Sequence, residues 1–260
     1  MSIKKSHLWT YFEGVENQFS FTMKLEQVTN MQEHQELEKY QTFLLNLGKG
    51  NLPANDDGNI NIPNELIETG FEVEDKKQDA AIEYVYGDIN EHVNDTNYIM
   101  SNVIICPHNR SVKKINEKIV DLLESLEYTS YSSDTATDEC LEMSEEVLNT
   151  FEVPGLPSHE LRLKENMPVM LMRNMSRKKK LCNGTRLIVK KLTGSLLYTT
   201  NPKTKEEVIL PRFELESDIK KVGILFKRRQ FPVAPAFSIT ANKAQGQTIP
   251  GKVAIYLWDD

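Results

Sequence analysis

The chain has 260 residues, 39% of them apolar and 27% charged, with a mean hydropathy of −0.46 and a formal net charge of −7. A chain of this length buries one good core or two small ones, and its longest apolar runs, such as VIIC at 103–106, are strand-length rather than the roughly 18 residues a spanning helix needs, so no membrane partner is expected. Cys106, Cys140 and Cys182 are widely spaced and form no CxxC pair, which argues for a reducing intracellular compartment and against a metal site.

The charge is unevenly divided. Residues 1–150 hold 11 Lys and Arg against 28 Asp and Glu, a balance of −17, whereas residues 151–260 hold 20 against 10, a balance of +10. Phosphate binding responds to the local field, so a basic half inside an acidic protein is a footprint for a polyanion; a solvated basic face would read the same way.

MSIKKSHLWTYF opens with lysines but no apolar run, and no secretory leader is expected there. From Met31 to Leu47, Leu37, Tyr40, Phe43, Leu44 and Leu47 recur at helical spacing, and Gly48 follows as a natural stop. The Gly/Asn/Asp/Pro-rich connector at 48–63 predicts a loop with a short strand near Ile60 and Ile62. NYIMSNVIICPHN then predicts a buried strand running into a turn. Val112, Ile115, Ile119, Leu122, Leu123 and Leu126 continue on one helical face, with Asn109 or Ser111 as the cap. Strand, polar turn and helix form the unit of an α/β sheet, whose ligands gather at the carboxyl ends of strands, which is where Asn109 falls.

The acidic, Ser/Thr-rich stretch at 127–147 reads as an exposed excursion with little core. After it come five short β-like runs: ELRLK, MPVMLMRN, TRLIVKKL, SLLYTT and EEVILPR. The pair Asn183-Gly184 behind the basic stretch RKKK (177–180) signals a hairpin, and the five runs suggest a small β-barrel inserted in the α/β domain. The last segment returns to strand, turn, possible helix and a strand at 253–258. The expected fold class is therefore α/β, a parallel-sheet domain with an inserted small β-barrel. Its boundaries are 1–150 for the first α/β segment, 151–215 for the barrel and 216–260 for the closing α/β segment.

GQTIPGK (246–252) matches part of a phosphate-binding loop, but Val253 follows where a magnesium-binding hydroxyl is needed, and a strand follows where a helix should start. No other Gly-Lys pair precedes Ser or Thr, and no histidine stands in a nucleophile-like context, so no catalytic residue is assigned. The turn TANKAQGQT is more informative. A hydroxyl, an ammonium, amides and a glycine follow a buried strand and would supply donors to phosphate oxygens.

Four segments, LWTYF with QVTNMQ (8–12 and 27–32), VIICPHNRSVKKIN (103–116), GLPSHELRLKENMPVMLMRNMSRKKKLCNGTRLIV (155–189) and FKRRQFPVAPAFSITANKAQGQTI (226–249), resemble the C-terminal half of superfamily 1 DNA helicases of the petite integration frequency (PIF) family. The resemblance implies a second RecA-like domain, 2A, carrying an inserted β-barrel, 2B. It also implies ATP-driven unwinding of DNA, with ATP and Mg²⁺ as cofactors of the full-length family and roles in repair, recombination and telomere maintenance. In that family Thr-x-Asn-Lys-x-Gln-Gly is motif V, so Thr240, Asn242 and Lys243 would touch single-stranded DNA, Gln245 and Gly246 would face the nucleotide cleft, and Asn109 would meet the DNA backbone. Lys178, Lys179, Lys180, Arg228 and Arg229 are added from charge alone, and a purely solvated role would explain them equally.

The sequence also departs from the family. Walker A, the magnesium-binding acidic motif and motif III would precede LWTYF, and motif VI would follow Asp260. Gln32 occupies the position of a cleft arginine, which a neutral amide does not replace on phosphate. The expectation is a helicase fragment or degenerate copy that is inactive alone, paired with single-stranded DNA and with a separately encoded first domain. A non-catalytic single-strand-binding module and a protein-interaction or pseudoenzyme subunit are the alternatives. The compartment would be nucleus or mitochondrion in a eukaryote.

Overall fold

A computed structural model describes residues 31–56, 58, 60, 62, 74–137, 143–217, 223 and 225–257. The chain divides into two compact units, Met1–Gly70 and Phe71–Asp260. In the first, helix α1 spans Met31–Lys49, as the spacing predicts, with Phe43 and Leu44 half-buried. Gly48 does not end it. Gly50 does, with φ of 71°, and its N–H and that of Asn51 bond the carbonyls of Leu47 and Asn46 at 3.1 and 2.8 Å. That pair of bonds is a Schellman closure, which requires the left-handed conformation glycine adopts at no steric cost. The connector forms an isolated bridge between Ala54 and Ile60 instead of a strand.

The second unit is built on a parallel sheet. Strands β1 (Val103–Cys106), β12 (Ser238–Thr240) and β13 (Val253–Ile255) pair in the order β12-β1-β13. Helix α2 (Glu74–Tyr86) packs on β1 and β13, and α4 (Asn109–Leu122) on β1 and β12. The short helix α3 (Thr96–Ser101) leads into β1 and is capped by Asp95, whose carboxylate accepts the N–H groups of Asn97 and Tyr98 at 2.8 and 3.3 Å. The expected strand–turn–helix at 103–122 is present, but α4 begins after His108 rather than behind an Asn109 or Ser111 cap, and Leu122 and Leu126 are exposed at its far end.

The excursion expected at 127–147 is largely sheet. Strand β2 (Glu127–Tyr131) pairs with β4 (Glu160–Lys164), and β3 (Ser133–Ala136) pairs with β10 (Phe226–Gln230), which is flanked on its other side by β9 (Phe213–Glu216). Helix α5 (Glu145–Asn149) packs against β3. Polar residues hide this segment from a hydropathy reading because they are buried in pairs. Ser130, Ser132 and Asp134 all point inward; Ser130 donates to Gln230 Oε1 at 2.9 Å, and Asp134 meets Arg228.

The expected barrel is an open sheet. Strands β5 (Pro168–Leu171), β6 (Arg186–Thr193), β7 (Leu196–Thr200) and β8 (Glu207–Pro211) run antiparallel, and β11 (Val233–Pro235) adds beside β5, giving the order β11-β5-β6-β7-β8. Its two ends do not meet, and the first expected strand, β4, pairs with β2 instead of joining it. One apolar cluster runs without a break from Tyr86, Ile104, Ile115 and Ile119 of the α/β layer into Leu163, Val169, Leu187 and Leu197 of the antiparallel strands.

Candidate nucleic-acid interface

The parallel register sets Cys106 opposite Thr240. The turn after β1, which holds Asn109, and the turn after β12, which holds Thr240 to Gly246, therefore leave from the same carboxyl edge of one sheet, where open α/β sheets collect their ligands. Asn116 fixes α4 to the entry of β12. Its side-chain amide donates to the carbonyls of Pro235 and Ser238 at 3.2 and 3.0 Å, and its carbonyl accepts the N–H groups of Phe237 and Ser238 at 3.0 and 2.9 Å. An asparagine with all four capacities satisfied on an otherwise apolar helical face is a positional lock. The sequence signal was its interruption of the Val112, Ile115, Ile119 stripe.

Asn109 is exposed in the first turn of α4, a 14-residue helix whose cap residue, His108, makes no side-chain capping bond. First-turn N–H groups have no partner inside a helix, so an anion here meets donors and the positive end of the dipole. Thr240 is half-buried at the start of the short helix α6 (Ala241–Ala244), and its side chain makes no capping bond. Asn242, Lys243, Gln245 and Gly246 are exposed, and Gly246 has φ of 79°, which lets the chain leave α6 without a Cβ penalty.

Lys243 does not extend freely into solvent. Its ammonium donates to Asn183 Oδ1, and partial burial pulls its pKa below the usual lysine value. Gln247 completes the contact by donating to the carbonyls of Lys243 and Gly184 at 2.8 and 3.4 Å. The motif-like turn thus sits against the β5–β6 connection. In that connection the antiparallel bridge Ser176 to Leu181 closes a tight turn with Arg177, Lys178, Lys179 and Lys180 exposed at its tip and Lys180 at φ of 55°. Asn183-Gly184 is not the tip but the foot of this connection, held by a 2.8 Å bond from Gly184 N–H to the carbonyl of Leu171.

Arg228, expected from charge to face a polyanion, is turned into the fold. It is 1% exposed and pairs with Asp134, donating from Nε at 3.0 and 2.9 Å and from Nη2 at 2.6 Å; its remaining N–H groups reach the carbonyls of Leu148, Phe151 and Pro157 at 3.1 to 3.2 Å. Strand alternation turned Arg228 inward and its neighbour Arg229 outward. Arg229 is exposed on β10, opposite Ser133 and Glu214, and no contact among the described residues links it to the Thr240 turn. Gln32 lies in α1, within the first unit, while Thr29 and Asn30 fall outside the described residues.

The GQTIPGK segment is not a phosphate loop. The N–H groups of Gly251 and Lys252 bond Ser101 O and Asn102 Oδ1 at 3.0 and 2.8 Å, a Cβ at Gly251 would stand 2.4 Å from Asn102 Oδ1, and the chain continues into β13. Donors already engaged inside the fold cannot cradle a triphosphate, whereas Gln245 and Gly246 stand exposed at the exit of α6. Among the described residues no group of three His, Cys, Asp or Glu side chains is placed to hold a metal, and no helix is long and apolar enough to cross a membrane.

Comparison with known proteins gives the following. Residues 146–192 match the family model described as DNA helicase Pif1, 2B domain. No curated protein matches the chain. Among solved structures, unliganded Pif1 from Bacteroides sp is 23% identical with a TM-score of 0.40, covering 59% of this chain and 45% of that one. Pif1 helicase from Candida albicans is 20% identical with a TM-score of 0.44, covering 70% and 47%. Pif1 helicase from Bacteroides in complex with ADP-AlF3 and single-stranded DNA is 17% identical with a TM-score of 0.45, covering 74% and 45%. This chain thus spans less than half the length of each of these helicases, and the stretch that carries β4, β5 and most of β6 resembles the 2B domain of the DNA helicase Pif1.

Proposed function

We propose that this chain is a helicase-derived, single-strand-binding half. It grips phosphates through the Asn109 turn, the Thr240 to Lys243 turn and the Lys178 to Lys180 tip, and it neither hydrolyses ATP nor unwinds DNA by itself. The observation that carries the reading is the register Cys106 to Thr240, which brings two donor-rich turns to one sheet edge, with the match of residues 146–192 to the Pif1 2B domain beside it. ATP and Mg²⁺ would enter where a first helicase domain supplies a phosphate loop, in the same protein or in a partner. The contacts proposed are to the backbone, so binding should be insensitive to base sequence and steep in salt.

The test is fluorescence anisotropy of a labelled oligothymidine across a salt series, with ATP turnover measured alongside. Salt-dependent binding that Lys243→Ala weakens, without turnover, is the expected result. Absence of binding at low salt, or DNA-stimulated ATP hydrolysis by the isolated chain, overturns it.

A further inference from the structure

Resting on that reading, we infer that Asn183 is a positioning residue for Lys243. It fixes where the ammonium stands, so that the Thr240 turn and the lysine tip of the β5–β6 connection act on a strand as one surface. The receptor is built before any ligand arrives. Asn183 N–H donates to Asn174 Oδ1 at 2.8 Å, Cys182 N–H to Thr185 Oγ1 at 3.1 Å, and Thr185 Oγ1 to the carbonyl of Lys180 at 3.2 Å, so the foot of the connection is cross-braced to its own tip. Two residues beyond the foot, Arg186 enters β6 and donates to the carbonyls of Met100, Ile99, Asn102 and Ala236 at 3.0 to 3.3 Å, which anchors the foot to the parallel-sheet layer. Lys243 and Gln247 then reach this anchored foot from α6 and its exit. A lysine is a flexible point charge with high rotamer entropy. Held at one end of its range by a neutral amide oxygen, it keeps its charge for a phosphate while losing less freedom on binding.

The two roles separate by salt dependence. Removing the charge changes the number of counterions released, whereas removing the orienting amide changes only affinity. With the intact 260-residue chain and labelled oligothymidine, Asn183→Ala should weaken binding about twofold to tenfold, the range for ordering one rotamer-rich side chain, with the salt slope unchanged. Lys243→Ala should lower the slope by about 0.7, the value for one single-strand phosphate contact. In the Lys243→Ala background, Asn183→Ala should have no further effect. Asn183→Asp, which neutralises the ammonium, should reproduce the Lys243→Ala slope, and thermal melts of all variants should match wild type because the contact is exposed.

An Asn183→Ala effect of equal size with and without Lys243 would mean Asn183 acts on the fold and would sink the inference while leaving the proposed function intact. Wild-type affinity retained by Asn183→Ala would sink it in the same way. An unchanged salt slope in Lys243→Ala would remove the phosphate contact itself and overturn both.

Discussion

Replacing Asp134 with alanine leaves the Arg228 guanidinium 1% exposed, with three backbone carbonyls and no counter-charge. Breaking a buried ion pair from one side costs about 3–5 kcal/mol, because the remaining charge stays desolvated. For a chain near this size each kcal/mol shifts Tm by about 2–4 °C, so Asp134→Ala should melt roughly 6–20 °C below wild type. Replacing both partners by apolar residues of similar volume, as in Asp134→Leu with Arg228→Met, removes the charge together with its desolvation and should recover most of that loss. The assay is a thermal melt by circular dichroism, followed by a salt titration of single-strand binding with the double variant at a temperature where it is folded. An Asp134→Ala melt within about 2 °C of wild type would refute the burial argument, since the expected shift at this size is several-fold larger. A double variant whose salt slope fell by one phosphate would place Arg228 on the DNA after all.

Three further outcomes follow from the same geometry. Arg186→Leu strips donors from the buried carbonyls of Ile99 and Ala236, while that of Asn102 keeps the Tyr86 hydroxyl, and with about 1–3 kcal/mol for each orphaned buried group it should lower Tm and raise hydrogen exchange around α3 and the start of β1. Lys178→Ala, Lys179→Ala and Lys180→Ala combined should weaken binding equally on oligothymidine and mixed-sequence strands, with a slope reduced by up to about 2 and an unchanged melt. Hydrogen bonds and charge from Arg162, and then from Lys164, hold the Glu127 carboxyl below its ordinary value of 4.5. A depressed folded pKa means stability present above the unfolded value and lost as pH falls through the folded one, so wild type should lose urea resistance from about pH 5 downward while Glu127→Gln loses less over the same window.

The β1–turn–α4 unit was legible because its signals are local: four apolar residues, a turn and a 3.6-residue stripe. Strands β5 to β8 were legible for the same reason, β5 and β6 as short apolar runs and β7 and β8 by alternation. Helix α2 was overlooked although Gln78, Ile82, Val85 and Tyr86 trace its buried face, since a polar residue opens the stripe and charges surround it. Buried polarity is where sequence reasoning failed. Asp134 and Arg228 stand 94 positions apart, so neither reveals its partner until β3 and β10 are paired, and two adjacent arginines read as surface. Asn183 was read as a turn former because Asn-Gly is a backbone signal, and nothing in its neighbours shows that its side chain is the ligand of a lysine 60 residues on.

The unbroken core bears on how such a domain could be exchanged between proteins. The stretch that matches a family model, 146–192, contains β4 and β5 entire and most of β6. Every pairing partner of β4 and β6 except β5 lies outside it, because β4 rests on β2 and β6 on β7, and β5 takes its second neighbour from β11. Transplanted alone, those residues would carry orphaned edges and half an apolar face. The smallest cassette that keeps each strand beside its neighbours runs from Glu127 to Pro235. Recombination within that span would cut a hydrogen-bonded antiparallel pair, whereas an exchange bounded by paired crossovers at 107–126 and 236–237 would also keep β1, β12 and β13 together.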